Sequence, residues 1–282
     1  MSTAVRAFFL AIPGGGQRYC VYHPAAGHRR GALLFVPPFG DEMNKARRMM
    51  ALQARTLAQA GFDILQIDLD GCGDSSGEAA DARWESWRTD LALGRRWLAQ
   101  RSGHIPALLA LRLGALLALD FADRDGDVRQ VVLWQPVLDG AAFVNQLYRQ
   151  HLASAMLTTE SVTDSGGIAG LRARHAQGQC IEIGGYALAP QLARACAGLR
   201  LETLARPDIA LHWCDIGPPG RATAPVIAAL LQRWRDAGQP LQFSVIDGPA
   251  FWETAEISIC TPLLQATLAL CLAFQREPDH VL

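Results

Sequence analysis

The chain has 282 residues, half of them hydrophobic, and 26 basic against 27 acidic side chains leave a formal net charge of -1. That length supports one large domain with room for an insertion, and the interleaved charges argue against a nucleic-acid surface. Seven dispersed cysteines without a CxxC pair argue against a zinc site or a disulfide framework and fit reduced thiols in a cytoplasmic protein. No metal and no cofactor is expected. The apolar start, Met1 to Pro13, is short and reads as a first strand rather than a leader. No stretch reaches the roughly 18 to 20 apolar residues of a membrane helix, so no membrane insertion is expected.

In chain order, Phe8 to Ile12 and Arg18 to Tyr22 form a hairpin across a glycine-rich turn. Gly31 to Val36 is a buried strand closed by Pro37 and Pro38. A helix runs from Asn44 to Ala60 and a strand from Phe62 to Asp68, followed by a glycine-rich loop from Leu69 to Gly77. Asp81 to Gln100 is a helix with Trp84, Trp87, Leu91 and Trp97 mostly on one side. A strand up to Ala110 turns sharply into a helix from Leu113, and Val128 to Trp134 is the next strand. The polar stretch from Leu138 to about Gly178 breaks this rhythm and reads as a cap. It includes the Ser161 to Gly167 loop. Strand Ile209 to Cys214, helix Thr223 to Asp236, strand Leu241 to Ile246 and helix Ile257 to Phe274 complete the chain. Strands alternating with long helices predict an α/β fold with a mostly parallel sheet. The core is divided as 1–137 and 181–282, with a small insertion at 138–180.

The turn after Ala110 has the strand, sharp turn and helix of a nucleophile elbow, G-x-S-x-G. Its five positions are Ala110, Leu111, Arg112, Leu113 and Gly114. Arginine in the serine position cannot attack an acyl carbon, because its guanidinium stays protonated. A buried arginine requires an anion, either a protein carboxylate or the anionic group of a ligand.

The order of elements matches the α/β-hydrolase fold. The segment Pro37-Pro-Phe-Gly-Asp-Glu-Met-Asn-Lys45 with Arg47-Arg-Met49, the loop Asp68 to Gly77, Leu111 to Ala115, Gly185-Tyr186, and Phe251-Trp252 with Glu256 carry a closer likeness. Through them nearly the whole chain resembles the exosortase A system-associated hydrolase 2 family. That resemblance implies a cytoplasmic accessory protein of exopolysaccharide and exosortase systems. It would act on an ester, thioester or acylated sugar, with proteins of those systems as partners. The sister family places a cysteine at the elbow; this chain places Arg112 there.

Several residues are candidates for the site. Gly40, in the loop that builds part of an oxyanion hole in this fold, allows close backbone approach. Glu42 can pair with Arg112, and Asn44, Lys45 and Arg48 add an amide and two cations; Asn44 is alternatively a helix N-cap. Asp215 stands where the triad acid belongs. No histidine stands directly after the last strand, where Asp247 to Glu253 stand instead. Two missing members argue against Ser-His-Asp catalysis. Tyr186, Phe251 and Trp252 are either a cleft wall or ordinary core. His212 reads as a buried strand histidine, His151 and His175 as cap residues, and Ser75 and Ser76 as turn serines bound to backbone. Cys72 lacks a base beside it. Two functions remain open: an atypical hydrolase using Arg112 and Glu42, and a catalytically inactive binding or scaffold protein.

Overall fold

The computed structural model describes residues 4–157 and 166–274. Most of the Ser161 to Gly167 loop therefore lies outside the described residues. An eight-stranded sheet has the order β1-β2-β4-β3-β5-β6-β9-β10. Its strands are β1 (Arg6–Ala11), β2 (Gln17–His23), β3 (Gly31–Val36), β4 (Phe62–Ile67), β5 (Ala107–Leu111), β6 (Gln130–Trp134), β9 (Ala210–Gly217) and β10 (Leu241–Asp247). The first two strands pair antiparallel with their neighbours, and every later pairing in the sheet is parallel. The expected α/β sheet is present.

Both faces of the central strands are apolar because helices cover both. Leu33, Phe35, Leu109, Leu111, Val132 and Trp134 face α1 (Asp41–Gln59) and α9 (Thr261–Ala273). The alternate residues Leu34, Val36, Leu108, Ala110, Val131 and Leu133 face α2 (Trp84–Ser102), α3 (Leu113–Asp125) and α8 (Pro225–Asp236). This period of two, with both sides buried, explains why the strands read as unbroken hydrophobic runs.

Some boundaries differ from expectation for local reasons. The helix expected from Asp81 starts at Trp84, because a 3-10 turn occupies Ala79–Asp81 and Arg83 is extended. The helix expected from Ile257 starts at Thr261, with a proline in its first turn. Helix α1 begins at Asp41, directly after Gly40, so Asn44 lies inside its first turns and is not its N-cap. Strand β9 runs on to Gly217, which pairs with Asp247 of β10. Asp215 is thus inside a strand rather than on the loop after it.

Between β6 and β9 the chain leaves the sheet. It forms α4 (Gly140–Leu157), α5 (Gly167–Ala176), the antiparallel pair β7 (Ile181–Ile183) and β8 (Tyr186–Leu188), α6 (Pro190–Ala197) and the short α7 (Leu201–Leu204). The sequence reading returned to the core at residue 181. In the structure Ile181–Ile183 pairs only within its own hairpin, and the sheet resumes at Ala210.

Candidate functional site

The site is built at the carboxyl ends of β3, β5, β6, β9 and β10, where open parallel sheets place ligands. Arg112 stands between β5 and α3 with φ 55° and ψ -119°, a conformation sparsely populated by non-glycine residues. Backbone bonds hold it there. Its N–H donates to the Trp134 carbonyl at 3.1 Å, and its carbonyl accepts from Ala115 at 3.0 Å and Val137 at 3.2 Å. Two residues on, a Cβ at Gly114 would sit 2.6 Å from the carbonyl oxygens of Val36 and Pro37. Only glycine lets α3 approach β3 so closely. The sharp turn from β5 into α3 is therefore held on both sides.

The Arg112 Nε donates to Glu42 Oε1 at 3.1 Å, and both side chains are 13% exposed. The guanidinium lies over the Trp252 ring, 5.5 Å from its centroid. Its two terminal nitrogens form no hydrogen bond among the described residues. The other oxygen of Glu42, Oε2, is buried and also without a partner there. Burial raises the Glu42 carboxyl above its ordinary value; Arg112 opposes that rise, and the Glu253 and Asp41 carboxylates add to it.

Trp252 is 3% exposed and packs edge-on against the fully buried Phe251, which meets Trp134. These aromatics occupy the segment after β10, and an aromatic ring thus meets the arginine. The sequence marked both positions separately but had no signal for their contact.

Asp215, 1% exposed, is not joined to Arg112. Its Oδ2 accepts from Arg221 Nη2 at 2.5 Å, and Arg221 also reaches the Ile216 carbonyl at 3.5 Å. The Pro218-Pro-Gly-Arg221 turn supplies this cation, and the sequence reading did not single it out. Gln135, also missed, follows β6 with φ 42°. Its side chain accepts the Ile216 N–H at 2.6 Å, and its own N–H donates to the Cys214 carbonyl at 2.9 Å.

The remaining candidates divide. Gly40 has φ 64°, and a Cβ there would lie 3.8 Å from the Tyr186 ring. The Asn44 amide donates to the Tyr186 hydroxyl in a short contact, joining α1 to β8. Burial, aided by Asp41, raises the Tyr186 phenol. Lys45 pairs with Asp41 at 2.7 Å within α1, and Arg48 is exposed on that helix. Arg47, named only within the family likeness, binds Asp68 at 3.2 Å.

Other chemistry-bearing residues are accounted for. Ser75 Oγ donates to the Asp68 carbonyl at 2.6 Å and accepts from Tyr19, and Ser76 Oγ accepts from Gln17. Cys72 is held as a thiol, its pKa raised to about 12 by burial and by Asp68, Asp70 and Asp90. His175 is buried and bonded on both ring nitrogens, to Tyr148 at 2.6 Å and to the Leu188 carbonyl at 3.1 Å. His151 contacts the Glu182 carbonyl at 2.7 Å, and His212 packs on Phe274. Among the described residues no His, Cys, Asp or Glu cluster could hold a metal ion, and no helix is long and apolar enough to cross a membrane.

No known family model matches the chain, and no curated protein matches it. Solved structures do. A lipase in its open form is 15% identical over 98% of this chain and all of its own length, with a TM-score of 0.66. Est1E from Butyrivibrio proteoclasticus with bound ferulic acid is 13% identical over 96% of this chain and 98% of its own, with a TM-score of 0.64. DcsB in complex with its substrate analogue is 15% identical over 97% of this chain and 99% of its own, with a TM-score of 0.62. Sheet order, elbow and these end-to-end likenesses agree that the chain has the α/β-hydrolase fold.

Proposed function

We propose that this protein is a hydrolase-fold binding protein that holds an anionic ligand at the elbow without attacking it. One observation carries the reading: Arg112 sits on a strained strand-to-helix turn with Nε bound to Glu42 and both terminal nitrogens without a hydrogen-bond partner among the described residues. A planar guanidinium already oriented by one carboxylate and one ring is suited to a second carboxylate, a sulfate or a phosphate. The residue positions that would supply nucleophile and base hold Arg112 and Trp252, and Asp215 is neutralised by Arg221. In this reading Gly40, Asn44, Lys45, Arg48, Tyr186, Phe251 and Trp252 shape the ligand's surroundings, and the helices and hairpin between β6 and β9 form the cap. The resemblance to the exosortase-associated family adds the ligand class: an acylated sugar, ester or thioester of an exopolysaccharide system in the cytoplasm, with proteins of that system as partners.

A second reading is favoured by Glu42. Its raised pKa and unpartnered Oε2 fit a general base for water, with Arg112 fixing the substrate's anionic group. The nearby Arg112 cation works against this, since it favours the ionised, weakly basic form. Product release from acyl esters, thioesters and O-acetylated sugars, with native protein and Arg112→Ala, separates the two readings. The binding reading expects no turnover with either protein, and expects Arg112→Ala to weaken binding of carboxylated acyl sugars at least tenfold. Turnover by the native protein that disappears in both Arg112→Ala and Glu42→Gln would establish the enzyme instead.

A further inference from the structure

A groove of about 350 Å³ lies between α4, α5 and α6 and contains no residue of the elbow site. Its floor is apolar, formed by Val144 and Tyr148 of α4 and by Pro190 and Ala193 of α6. Among the described residues its charged side chains are Arg172 of α5 and Arg194 of α6, and no acidic side chain lines it. Arg172 donates one Nη2 bond to Asn145 at 2.8 Å, which orients the guanidinium, and Arg194 has no side-chain partner among the described residues. His175 at the base is not a third cation. Both its ring nitrogens are bonded, and burial lowers its pKa.

Arg172 and Arg194 are both exposed, on helices that each pack against α4, and with no carboxylate between them among the described residues they give the groove a positive rim that attracts an anion. The apolar floor offers nothing to a fully hydrated ion but suits a short hydrocarbon body. We propose that this groove binds a small amphiphilic anion, its carboxylate or phosphate head between Arg172 and Arg194 and its apolar body along Val144, Tyr148, Pro190 and Ala193. The volume lies at the lower end of the roughly 300 to 1,000 Å³ range of small-molecule sites. A ligand of this kind would brace the three helices that lie between β6 and β9.

The test is calorimetric titration of the full chain with octanoate, octyl phosphate, octanol and octylamine. At least one anion should bind ten or more times tighter than octanol, and the comparison of octanoate with octyl phosphate identifies the head group. Arg194→Glu, a change at an exposed position, should lower anion affinity at least tenfold with an unchanged melting temperature, and Arg172→Ala should lower it in the same direction. Arg112→Ala should leave it unchanged, which separates this groove from the elbow. The proposal is overturned if neither anion binds, if octanol or octylamine binds as tightly, if both groove variants retain full affinity, or if Arg112→Ala removes binding.

Discussion

At the scale of single residues, the pair of Arg112 and Glu42 decides what the elbow can do. Arg112→Ala leaves a carboxylate buried without its cation, and the expected destabilisation is about 3 kcal/mol. The loss should depend on pH. A carboxyl whose folded pKa lies above its unfolded value holds its proton longer in the fold, so its effect on stability becomes less favourable as pH rises through the folded pKa. Removing Arg112 raises that folded pKa further. Urea unfolding of Arg112→Ala should therefore show a smaller deficit at pH 5 than at pH 8; equal deficits would mean that Glu42 is not the group left behind. Arg112→Ser tests the site's chemistry. With the Trp252 ring facing it and Asp215 tied to Arg221, the new serine should release no p-nitrophenol from p-nitrophenyl acetate above the native background.

At the scale of elements, the close contact of α3 with β3 positions the elbow. Gly114→Ala would push a methyl to within 2.6 Å of two backbone carbonyl oxygens. Neither can move without shifting β3, so the expected destabilisation is about 1 to 3 kcal/mol, read as a lower urea midpoint. A midpoint within error of the native one would show that α3 is free to move away from β3. The segment after β10 is held as firmly from the other side. Phe251 and Trp252 are buried beside Trp134, whose indole donates to Thr267 of α9 at 3.0 Å. This packing anchors Phe251 and Trp252 within the segment that joins β10 to α9.

At the scale of the whole molecule, a buried charge network joins the first hairpin to the glycine-rich loop and to α2. Arg18 pairs with Asp90 and Asp70 at 2.7 Å each, and Asp90 also accepts the Asp70 N–H at 2.8 Å. Burial raises Asp90 to about 6, against the opposing pull of Arg18. The folded pKa exceeds the unfolded one. The associated stability is therefore full below about pH 4 and is lost as pH rises through about 6. Arg18→Met leaves Asp90 without its cation, and the expected loss is about 3 to 5 kcal/mol at pH 7.5. The loss should shrink at pH 5, where Asp90 takes up a proton; thermal melts at the two pH values check this.

The sequence by itself determined the class of fold, because strands buried on both faces must be hydrophobic throughout and alternate with amphipathic helices. It also placed Arg112 at a strand-to-helix turn, because the spacing of Ala110 to Gly114 is local. The pairing of Arg112 with Glu42 was legible as one alternative, since both lie at strand ends that converge in this fold. Only the tertiary structure decided the rest. That Asp215 lies within β9 and is bound by Arg221 depends on a strand pairing that extends β9 by three residues beyond Cys214. That Trp252 covers Arg112, and that Asn44 reaches Tyr186 rather than capping α1, are contacts between residues more than a hundred positions apart. Periodicity and turn chemistry report a residue's near neighbours along the chain; which distant side chain fills the space in front of it is set by the packing of the whole.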